Sequence, residues 1–286
     1  MKVLITGASG QLGRALQAEA PAGVELVALD RAGLDLADAD AIVRALDRHN
    51  PGLILNAAAY TAVDKAESEP ALVQAVNAAA PGLLAAWAAR AGAGLVHVST
   101  DFVFDGQCSR AYPPNAPVHP LGVYGVSKAA GERAVEAALP EALIVRTAWI
   151  YGAGGRNFVA TMLRLMRERG AVRVVADQIG TPTHARSLAR ALWALSAAGT
   201  RGIHHFTDAG AASWYDFAVA IAEEGLALGL LDAMAAVEPI TSEDYPTPAV
   251  RPAFSMLDCG SAWAVTGKPA HWRQELRAML KEEKNI

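Results

Sequence analysis

The chain has 286 residues, a mass of 29.8 kDa, 52% apolar and 19% charged residues, and a formal net charge of −4 with a pI near 6.0. This length and composition exclude a disordered or fibrous protein and allow one large domain, or one domain with a smaller lobe. Binding to nucleic acid is not expected, because it requires clustered Lys and Arg.

The N-terminus and the cysteines predict a cytoplasmic protein. The apolar run after Lys2 breaks at Gly7, so it is too short for the core of a signal peptide. Cys108 and Cys259 lie far apart without a CxxC spacing, which is typical of a reduced compartment and predicts neither a zinc site nor a redox motif. The uncharged window 71–89 has the length of a membrane span, but its polar residues and Pro81-Gly82 favour a buried helix of a soluble protein.

Short aliphatic runs alternate with Ala-rich helical segments over the first two thirds of the chain. Each run is almost continuously apolar, as expected for strands that are covered on both faces. The βαβα order predicts an α/β fold with a doubly wound, Rossmann-like parallel sheet. The predicted strands are Lys2–Thr6, Val24–Leu29, Leu53–Asn56, Leu95–Ser99 and Leu143–Arg146.

The alternation loosens from about Ile150. Helices are predicted there near Asn157–Arg169, Arg186–Ala198, Ser213–Glu224 and His271–Lys284. We therefore predict a first domain over residues 1–150 and a smaller α/β lobe over residues 151–286 that is partly interleaved with it.

The first predicted strand leads directly into a glycine-rich turn, GASGQLG, at residues 7–13. Glycines between a strand and a helix let the backbone approach a pyrophosphate, and the N–H groups of the helix N-terminus face its charge. The spacing is GxxGxxG and not the GxGxxG of the standard dinucleotide fingerprint. The prediction of a dinucleotide site therefore depends on the position of the turn after the first strand.

Asp30 ends the second predicted strand, where a carboxylate could accept hydrogen bonds from an adenosine ribose. The alternative is a turn residue at the end of a strand. Arg31 follows and could pair with a 2′-phosphate, so the sequence leaves the choice between NADH and NADPH open.

A second group of candidate residues follows the fourth predicted strand. Thr100 and Asp101 stand at its carboxyl end, where open α/β sheets bind ligands. Tyr124 and Lys128 are four residues apart in a predicted helix, so they share one helix face. A neighbouring ammonium is expected to lower the pKa of the Tyr124 phenol, which is otherwise about 10. Taken alone, the Tyr and Lys are more typical of an exposed pair, and Thr100 of a turn or helix cap.

The glycine turn, Thr100 and the YxxxK pair together resemble the short-chain dehydrogenase/reductase superfamily, whose catalytic residues here would be Thr100, Tyr124 and Lys128. A closer resemblance covers nearly the whole chain and concerns the dTDP-4-dehydrorhamnose reductase family. It rests on the segments NAAAYTAVDKAESEP (56–70), STDFVFDG (99–106), RTAWIYG (146–152), NF (157–158), DQIGTPT (177–183) and YPTPAVRPAFSML (245–257).

This resemblance implies an NADPH- or NADH-dependent oxidoreductase that reduces the C4 carbonyl of dTDP-4-dehydro-L-rhamnose. The first domain would bind the dinucleotide, and the second lobe mainly the sugar nucleotide. The residues implied at the cofactor are Gly7, Gly10, Gln11, Leu12, Gly13, Asp30, Asp35, Leu36, Ala59, Tyr60, Thr61, Val98, Tyr124 and Lys128.

The resemblance also implies separate roles at the reacting sugar. Tyr124 would donate the proton, and Lys128 would orient the nicotinamide ribose. The sugar nucleotide would contact Thr100, Asp101 and Trp149. Arg251 would bind its diphosphate, because a guanidinium matches phosphate with two parallel hydrogen bonds. A surface position in a proline-rich loop is the alternative for Arg251.

Two positions depart from the family pattern and leave the identity of the sugar nucleotide open. Tyr60 stands where many members have His, and Met256 replaces the usual basic residue after Ser255. Some members bind a divalent cation at a dimer interface, but we predict no metal site here. Glu67 and Glu69 are interpreted as a solvated acidic loop, and His204 and His205 would point to opposite faces of a strand. The sequence allows a homodimer without fixing the oligomeric state.

Two other functions stay open at the level of sequence. One is a related nucleotide-sugar epimerase or dehydratase, because the three catalytic residues do not choose among these reactions. The other is a non-catalytic regulatory subunit of a synthetase, similar to the β-subunit of methionine adenosyltransferase. The intact Thr100, Tyr124 and Lys128 argue against the second function.

Overall fold

In a computed structural model, which describes residues 1–284, helices cover both faces of a parallel sheet. The strands are β1 (Lys2–Thr6), β2 (Glu25–Leu29), β3 (Leu53–Asn56), β4 (Gly94–Thr100), β5 (Leu143–Thr147), β6 (Ile150–Tyr151), β7 (Ala171–Val175), β8 (Ile179–Gly180), β9 (Thr183–His184), β10 (Gly202–His205), β11 (Ala212–Ser213) and β12 (Ala236–Ile240).

The helices alternate with these strands. They are α1 (Gln11–Ala18), α2 (Ala39–His49), α3 (Val63–Ala66), α4 (Pro70–Gln74), α5 (Ala80–Ala91), α6 (Val123–Ala138), α7 (Phe158–Arg169), α8 (Ala185–Ala197), α9 (Trp214–Ala227), α10 (Gly260–Thr266) and α11 (Trp272–Glu283). A π-helical turn, Ala75–Ala79, joins α4 to α5, and a 3₁₀ turn, Asp101–Val103, follows β4.

The main sheet has the strand order β10-β5-β4-β3-β1-β2, and all its pairings are parallel. This confirms the predicted doubly wound α/β fold, and the predicted strands differ from the observed ones by at most one residue at either end. Because β2 and β3 lie on opposite sides of β1, the chain reverses direction across the sheet between β1 and β3. Such a reversal opens a crevice at the carboxyl ends of the strands, where α/β folds bind their ligands.

Apolar side chains alternate between the two faces of the sheet and form a core on each. Val3 and Ile5 of β1 pack with α1 and α8, whereas Leu4 packs with α2 and α5. Two elements from the second half of the chain thus belong to this part of the fold: β10 forms one edge of the sheet, and α8 covers one of its faces. A separate core joins α7, α9 and α11 to β7. The division into residues 1–150 and 151–286 stays a prediction.

The helical run Pro70–Ala91 is long and apolar enough to span a membrane by length and composition, with a mean hydropathy of 1.4. Half of this stretch is buried within the protein. It packs on α2 and α6, and Leu84, Ala85 and Ala88 are fully buried in the core that it shares with Leu4. These contacts are those of a core helix.

A buried ion pair connects helix α6 to strand β5 of the sheet. Arg146 of β5 donates from Nε to Oε1 of Glu132 over 2.8 Å and from Nη2 to Oε2 over 2.7 Å. Both side chains are at most 4% exposed. Breaking such a pair leaves one uncompensated buried charge, which costs more than the pair itself contributes.

The substitution Glu132→Gln should therefore lower the free energy of unfolding by about 3–5 kcal/mol, because the Arg146 charge stays buried without a counter-charge. Glu168→Gln is a matched control, since Glu168 pairs with Arg164 on the exposed surface of α7. That change should cost about 0.5 kcal/mol or less. Urea titrations of both variants make the comparison, and equal losses would show that the buried pair has no special role.

Candidate active site

A cleft of about 780 Å³ runs along the carboxyl edge of the sheet. The predicted site residues that line it are Gly7, Gly10, Gln11, Leu12, Asp35, Leu36, Ala59, Tyr60, Thr61, Thr100, Asp101, Tyr124, Trp149 and Arg251. The other predicted residues, Gly13, Asp30, Val98 and Lys128, are not among the residues that line it.

The glycine turn forms one end of the cleft, at the start of α1. Gly7 has a φ of +66°, and a Cβ atom there would stand 2.8 Å from Cα of Ala58. At Gly13 a Cβ atom would stand 2.1 Å from the carbonyl oxygen of Gly7, so only glycine lets α1 begin this close to β1. Within residues 1–284 no side chain caps α1. Its first N–H groups have no intrahelical acceptor and are available to an anion in the cleft.

Asp30 behaves as a turn residue. Its Oδ1 accepts hydrogen bonds from the N–H groups of Ala32 and Gly33, both over 3.0 Å. The next residue, Arg31, lines the cleft. The structure thus matches the turn alternative for this carboxylate and brings a guanidinium to the same end of the cleft.

Asn77, in the π-helical turn, connects the loop after β3 to α6. Its side chain accepts the N–H of Tyr60 over 2.8 Å and donates to the carbonyl of Tyr60 over 3.0 Å and to Ser127 Oγ over 3.1 Å. Asn77 is 1% exposed. The sequence showed it only as a polar residue in an apolar window, and nothing in the sequence pattern indicated a π-helical turn, although such turns are frequent at functional sites.

Glu67 supplies the cap that α6 lacks at its own N-terminus. The N-cap residue is Gly122, and Oε1 of Glu67 accepts the N–H of Val123 over 2.9 Å. Glu69 accepts the Tyr60 hydroxyl over 2.6 Å and pairs with Lys65 over 2.8 Å. The interpretation of these two glutamates as a merely solvated loop is therefore wrong. Glu67 fixes the first turn of the helix that carries Tyr124.

The part of the cleft lined by Asp101 and Tyr124 contains two groups whose proton affinities are raised by burial. Burial raises the pKa of Tyr124 to about 12, against the effect of the Thr100 hydroxyl, and the charge of Asp101 adds to the rise. Burial also raises the pKa of Asp101 to about 6, and Ser255 and Thr100 oppose this shift. Thr100 Oγ1 donates to Oδ1 of Asp101 over 3.0 Å.

Lys128 is buried and hydrogen-bonded to β4. It is 1% exposed, and its Nζ donates to the carbonyl of Val98 over 2.7 Å. Burial lowers the pKa of Lys128 to about 8, and the charge of Glu132 opposes this shift. The expected lowering of the Tyr124 pKa by Lys128 is therefore wrong for this arrangement. The two side chains share a helix face, but the ammonium binds a strand carbonyl.

Arg251 reaches the cleft from the segment before α10 and is held by Asp64 of α3. Its Nη1 and Nη2 donate to Oδ1 and Oδ2 of Asp64 over 3.0 and 2.8 Å. The guanidinium beside Asp64 lowers the pKa of that carboxyl. Arg251 thus belongs to the site wall and not to a free surface loop. Asp64 lies inside the NAAAYTAVDKAESEP segment, where its role was not predicted.

Trp149 and Trp214 form an aromatic pair in the wall of the cleft. Trp149 has a φ of +47°, a strained backbone for a bulky residue, and its indole stacks on Trp214 with ring centroids 3.6 Å apart and planes 6° apart. Both indoles line the cleft. Sequence reasoning missed Trp214, because it begins α9 and is far from Trp149 in sequence.

Asn157 is a further wall residue that had been noted only as part of a motif. Its Nδ2 donates to Oε1 of Gln11 over 2.9 Å and to the carbonyl of Gly152 over 2.7 Å, and its Oδ1 caps α7. It thereby joins the glycine turn to the start of α7. Among residues 1–284, no group of three or more His, Cys, Asp and Glu side chains is arranged to hold a metal ion.

The buried carboxyl of Asp101 is expected to make the free energy of unfolding depend on pH. Its Oδ2 is buried without a hydrogen-bond partner among the described residues. Because the folded pKa of about 6 lies above the usual aspartate value of 3.8, this group stabilises the fold fully below pH 3.8. That stabilisation is lost as the pH rises through about 6.

Asp101→Asn should therefore gain stability relative to the parent as the pH rises, by about 1 kcal/mol between pH 5 and pH 8. Urea unfolding at both pH values measures the gain. Asp105→Asn is the control, because the Tyr112 hydroxyl lowers the pKa of Asp105 and no such gain is expected. A relative stability of Asp101→Asn that falls with pH would show that Asp101 is not held in an unfavourable ionised form.

Comparisons with known proteins agree with the resemblance seen in the motifs. The family model described as RmlD substrate binding domain matches residues 1–285. The chain is 43% identical over 285 residues to a dTDP-4-dehydrorhamnose reductase of Aggregatibacter actinomycetemcomitans, covering 96% of this chain and 97% of the relative. It is 47% identical over 282 residues to a dTDP-4-dehydrorhamnose reductase of Streptomyces griseus, covering 96% and 91%.

The solved structures include a dTDP-4-dehydrorhamnose reductase of Bacillus anthracis in complex with NADP. It aligns with a TM-score of 0.92 at 34% identity and covers 98% of this chain and 99% of that one. Sequence and structure thus match over nearly the full length, which confirms the resemblance. The chain belongs to the dTDP-4-dehydrorhamnose reductase family.

Proposed function

We propose that this protein is an NADPH- or NADH-dependent reductase that converts dTDP-4-dehydro-L-rhamnose to dTDP-L-rhamnose. One observation carries the proposal. A single cleft joins the glycine turn after β1 and the loop after β3 to Thr100 and Tyr124, at the edge where α/β sheets bind ligands. The named activities of relatives that match over nearly their full length support the same reaction. A dTDP-sugar is thus the small-molecule partner, and a cytoplasmic location stays a prediction.

The residues at the glycine turn fit a dinucleotide. The uncapped N-terminus of α1 would receive the diphosphate, and the lack of a side chain at Gly7 lets this turn pack against Ala58, whose Cα would stand 2.8 Å from a Cβ atom at Gly7. Gly10, Gln11, Leu12 and Gly13 would shape this cradle, with Asp30, Asp35 and Leu36 near the adenosine. The bound cofactor supplies the hydride for the carbonyl carbon.

Arg31 supports NADPH as the preferred form of the cofactor. Arg31 lines the cleft, where its guanidinium could pair with a 2′-phosphate, and Oδ1 of Asp30 accepts hydrogen bonds from two backbone N–H groups. The NADP bound in the Bacillus anthracis relative supports the same preference.

Tyr124 would donate the proton to the oxygen of the reduced carbonyl. A phenol with a pKa of about 12 holds its proton at neutral pH, as a proton donor must. Thr100 lies beside it with a hydroxyl that can orient the carbonyl oxygen. Lys128 would reach the nicotinamide ribose next to Val98, while Ala59, Tyr60 and Thr61 would line the cofactor.

The second lobe would hold the sugar nucleotide. The stacked indoles of Trp149 and Trp214 form an apolar platform for a sugar or base, and Asp101 offers a carboxyl oxygen in the same cleft. Arg251 would bind the diphosphate. To do so it would exchange one carboxylate, that of Asp64, for phosphate oxygens with the same bidentate geometry.

The test is the oxidation of NADPH or NADH with dTDP-4-dehydro-L-rhamnose, freshly made from dTDP-glucose by the upstream enzymes. We expect one cofactor oxidised per sugar reduced. Tyr124→Phe should lower kcat by roughly 10³-fold, because the proton donor is lost, and should leave the cofactor Kd nearly unchanged. Tyr245→Phe is the matched control, since Tyr245 is 63% exposed, and it should keep full activity.

Other outcomes would favour the remaining functions. Conversion of a nucleotide sugar without net cofactor oxidation would indicate an epimerase or dehydratase. A stable complex with a synthetase, together with no oxidation on any nucleotide sugar, would indicate a regulatory subunit. Full activity of Tyr124→Phe would disprove the role of this phenol.

A further inference from the structure

Three polar side chains of the cleft wall have a buried oxygen that finds no hydrogen-bond partner within residues 1–284. These oxygens are Oγ of Ser99, Oδ2 of Asp101 and Oγ1 of Thr147. All three residues are at most 3% exposed. A buried polar group without a partner destabilises a protein, and in the wall of a binding cleft the missing partner is expected to come from the ligand.

The pairing of the strands separates the two hydroxyls. The proposed function already assigns the carboxyl of Asp101 to the sugar nucleotide. Where β4 pairs with β5, Ser99 lies opposite Arg146, and Thr100 lies opposite Thr147. Residues opposite each other on neighbouring strands point to the same face of the sheet, and successive residues point to opposite faces. Thr147 therefore shares its face with Thr100, and Ser99 lies on the other face.

The polar groups next to Thr147 are engaged within the protein. The hydroxyl of Thr100 donates to Oδ1 of Asp101 over 3.0 Å and accepts the N–H of Phe102 over 3.2 Å. The carbonyl of Trp149 accepts the N–H of Thr183 over 3.2 Å. In the described part of the chain, Thr147 thus brings to this stretch of the wall a hydroxyl that no protein group engages.

The reaction indicates which ligand group would meet this hydroxyl. C4 of the nicotinamide must approach the sugar carbonyl, which Thr100 would orient and Tyr124 would protonate. The carboxamide is carried by C3, the ring atom next to C4. Neighbouring strands are about 4.8 Å apart, so Thr147 stands one strand spacing from Thr100. A carboxamide has an acceptor oxygen and a donor NH₂ group, so it can pair with a hydroxyl in either direction.

We propose that Thr147 is a further cofactor-binding residue, whose hydroxyl binds the carboxamide of the nicotinamide. This contact fixes the rotation of the ring about its bond to the ribose, and hence the face of the ring that is turned to the sugar. The inference rests on the proposed function, because it takes a nicotinamide dinucleotide as the ligand.

The substitution Thr147→Val tests the proposal, because it replaces the hydroxyl by a methyl group and keeps a β-branched side chain in the strand. It should raise the Kd of NADP⁺ roughly fivefold to tenfold, as expected for the loss of one hydrogen bond between uncharged groups. The Kd of ADP-ribose 2′-phosphate, which lacks the nicotinamide, should not change. Thr147→Ser keeps a hydroxyl and should bind NADP⁺ nearly as the parent does. Titration calorimetry measures all these constants.

Thermal unfolding without cofactor gives a second readout. Thr147→Val should melt at the same temperature as the parent or higher, because it removes an unpaired buried hydroxyl. Thr207→Val is the matched control. Thr207 is 2% exposed, follows β10 and does not line the cleft, and its hydroxyl donates to the carbonyl of Asp208 over 3.0 Å. This control should melt about 2–4 °C lower and bind NADP⁺ as the parent does.

Three results would overturn the proposal. One is an equal NADP⁺ affinity of Thr147→Val and the parent, which would leave the proposed function standing. Another is an equal weakening of NADP⁺ and of ADP-ribose 2′-phosphate, because the effect would then not concern the nicotinamide. The third is a loss of melting temperature as large as that of Thr207→Val, because the hydroxyl would then have a partner within the protein.

These measurements require no turnover, so a failure of the reductase assay would leave the test intact. A parent protein that binds neither NADP⁺ nor NAD⁺ would contradict both the proposed function and this inference.

Discussion

The site depends on the position at which helix α6 packs, because this helix carries both Tyr124 and Lys128. A Cβ atom at Gly125 would stand 2.2 Å from the carbonyl oxygen of Phe102, and one at Gly131 would stand 2.1 Å from the carbonyl oxygen of Asn77. Two close backbone approaches therefore fix the helix along its length. The cap from Glu67 fixes its first turn, and a shift of α6 would move the proton donor and the lysine together.

This close packing also sets the chemistry of the site. Burial gives Tyr124 a pKa of about 12 and lowers the pKa of Lys128 to about 8, so the two shifts have one physical cause. The phenol is thereby kept as a proton donor, with Thr100 as its polar neighbour at the cleft wall. Lys128 contacts β4 through the Val98 carbonyl and the ring of His97.

Local sequence patterns predicted most of the fold and of the cleft wall. They did not predict contacts between residues that are far apart in the sequence. Both ends of strands β1 and β3 were predicted correctly, because their apolar runs end at polar or glycine residues. The residues of the cleft wall could be predicted because loops that follow parallel strands meet at one edge of the sheet. The cap on Val123 comes from Glu67 and the stack on Trp149 from Trp214, and no sequence spacing encodes either contact. The Lys128 side chain is held by a carbonyl of β4. The YxxxK spacing alone therefore gave the wrong prediction, namely that Lys128 lowers the pKa of the Tyr124 phenol.

The transfer of deuterium from the cofactor tests the central claim most directly. The protein would be incubated with dTDP-4-dehydro-L-rhamnose and with NADPH in which both hydrogens at C4 of the nicotinamide are replaced by deuterium, and the product would be analysed by mass spectrometry and NMR. We predict one deuterium at C4 of the sugar for each NADPH oxidised, with no label transferred by Tyr124→Phe. A product that lacks deuterium at C4, or that forms while NADPH is not consumed, would disprove the reductase.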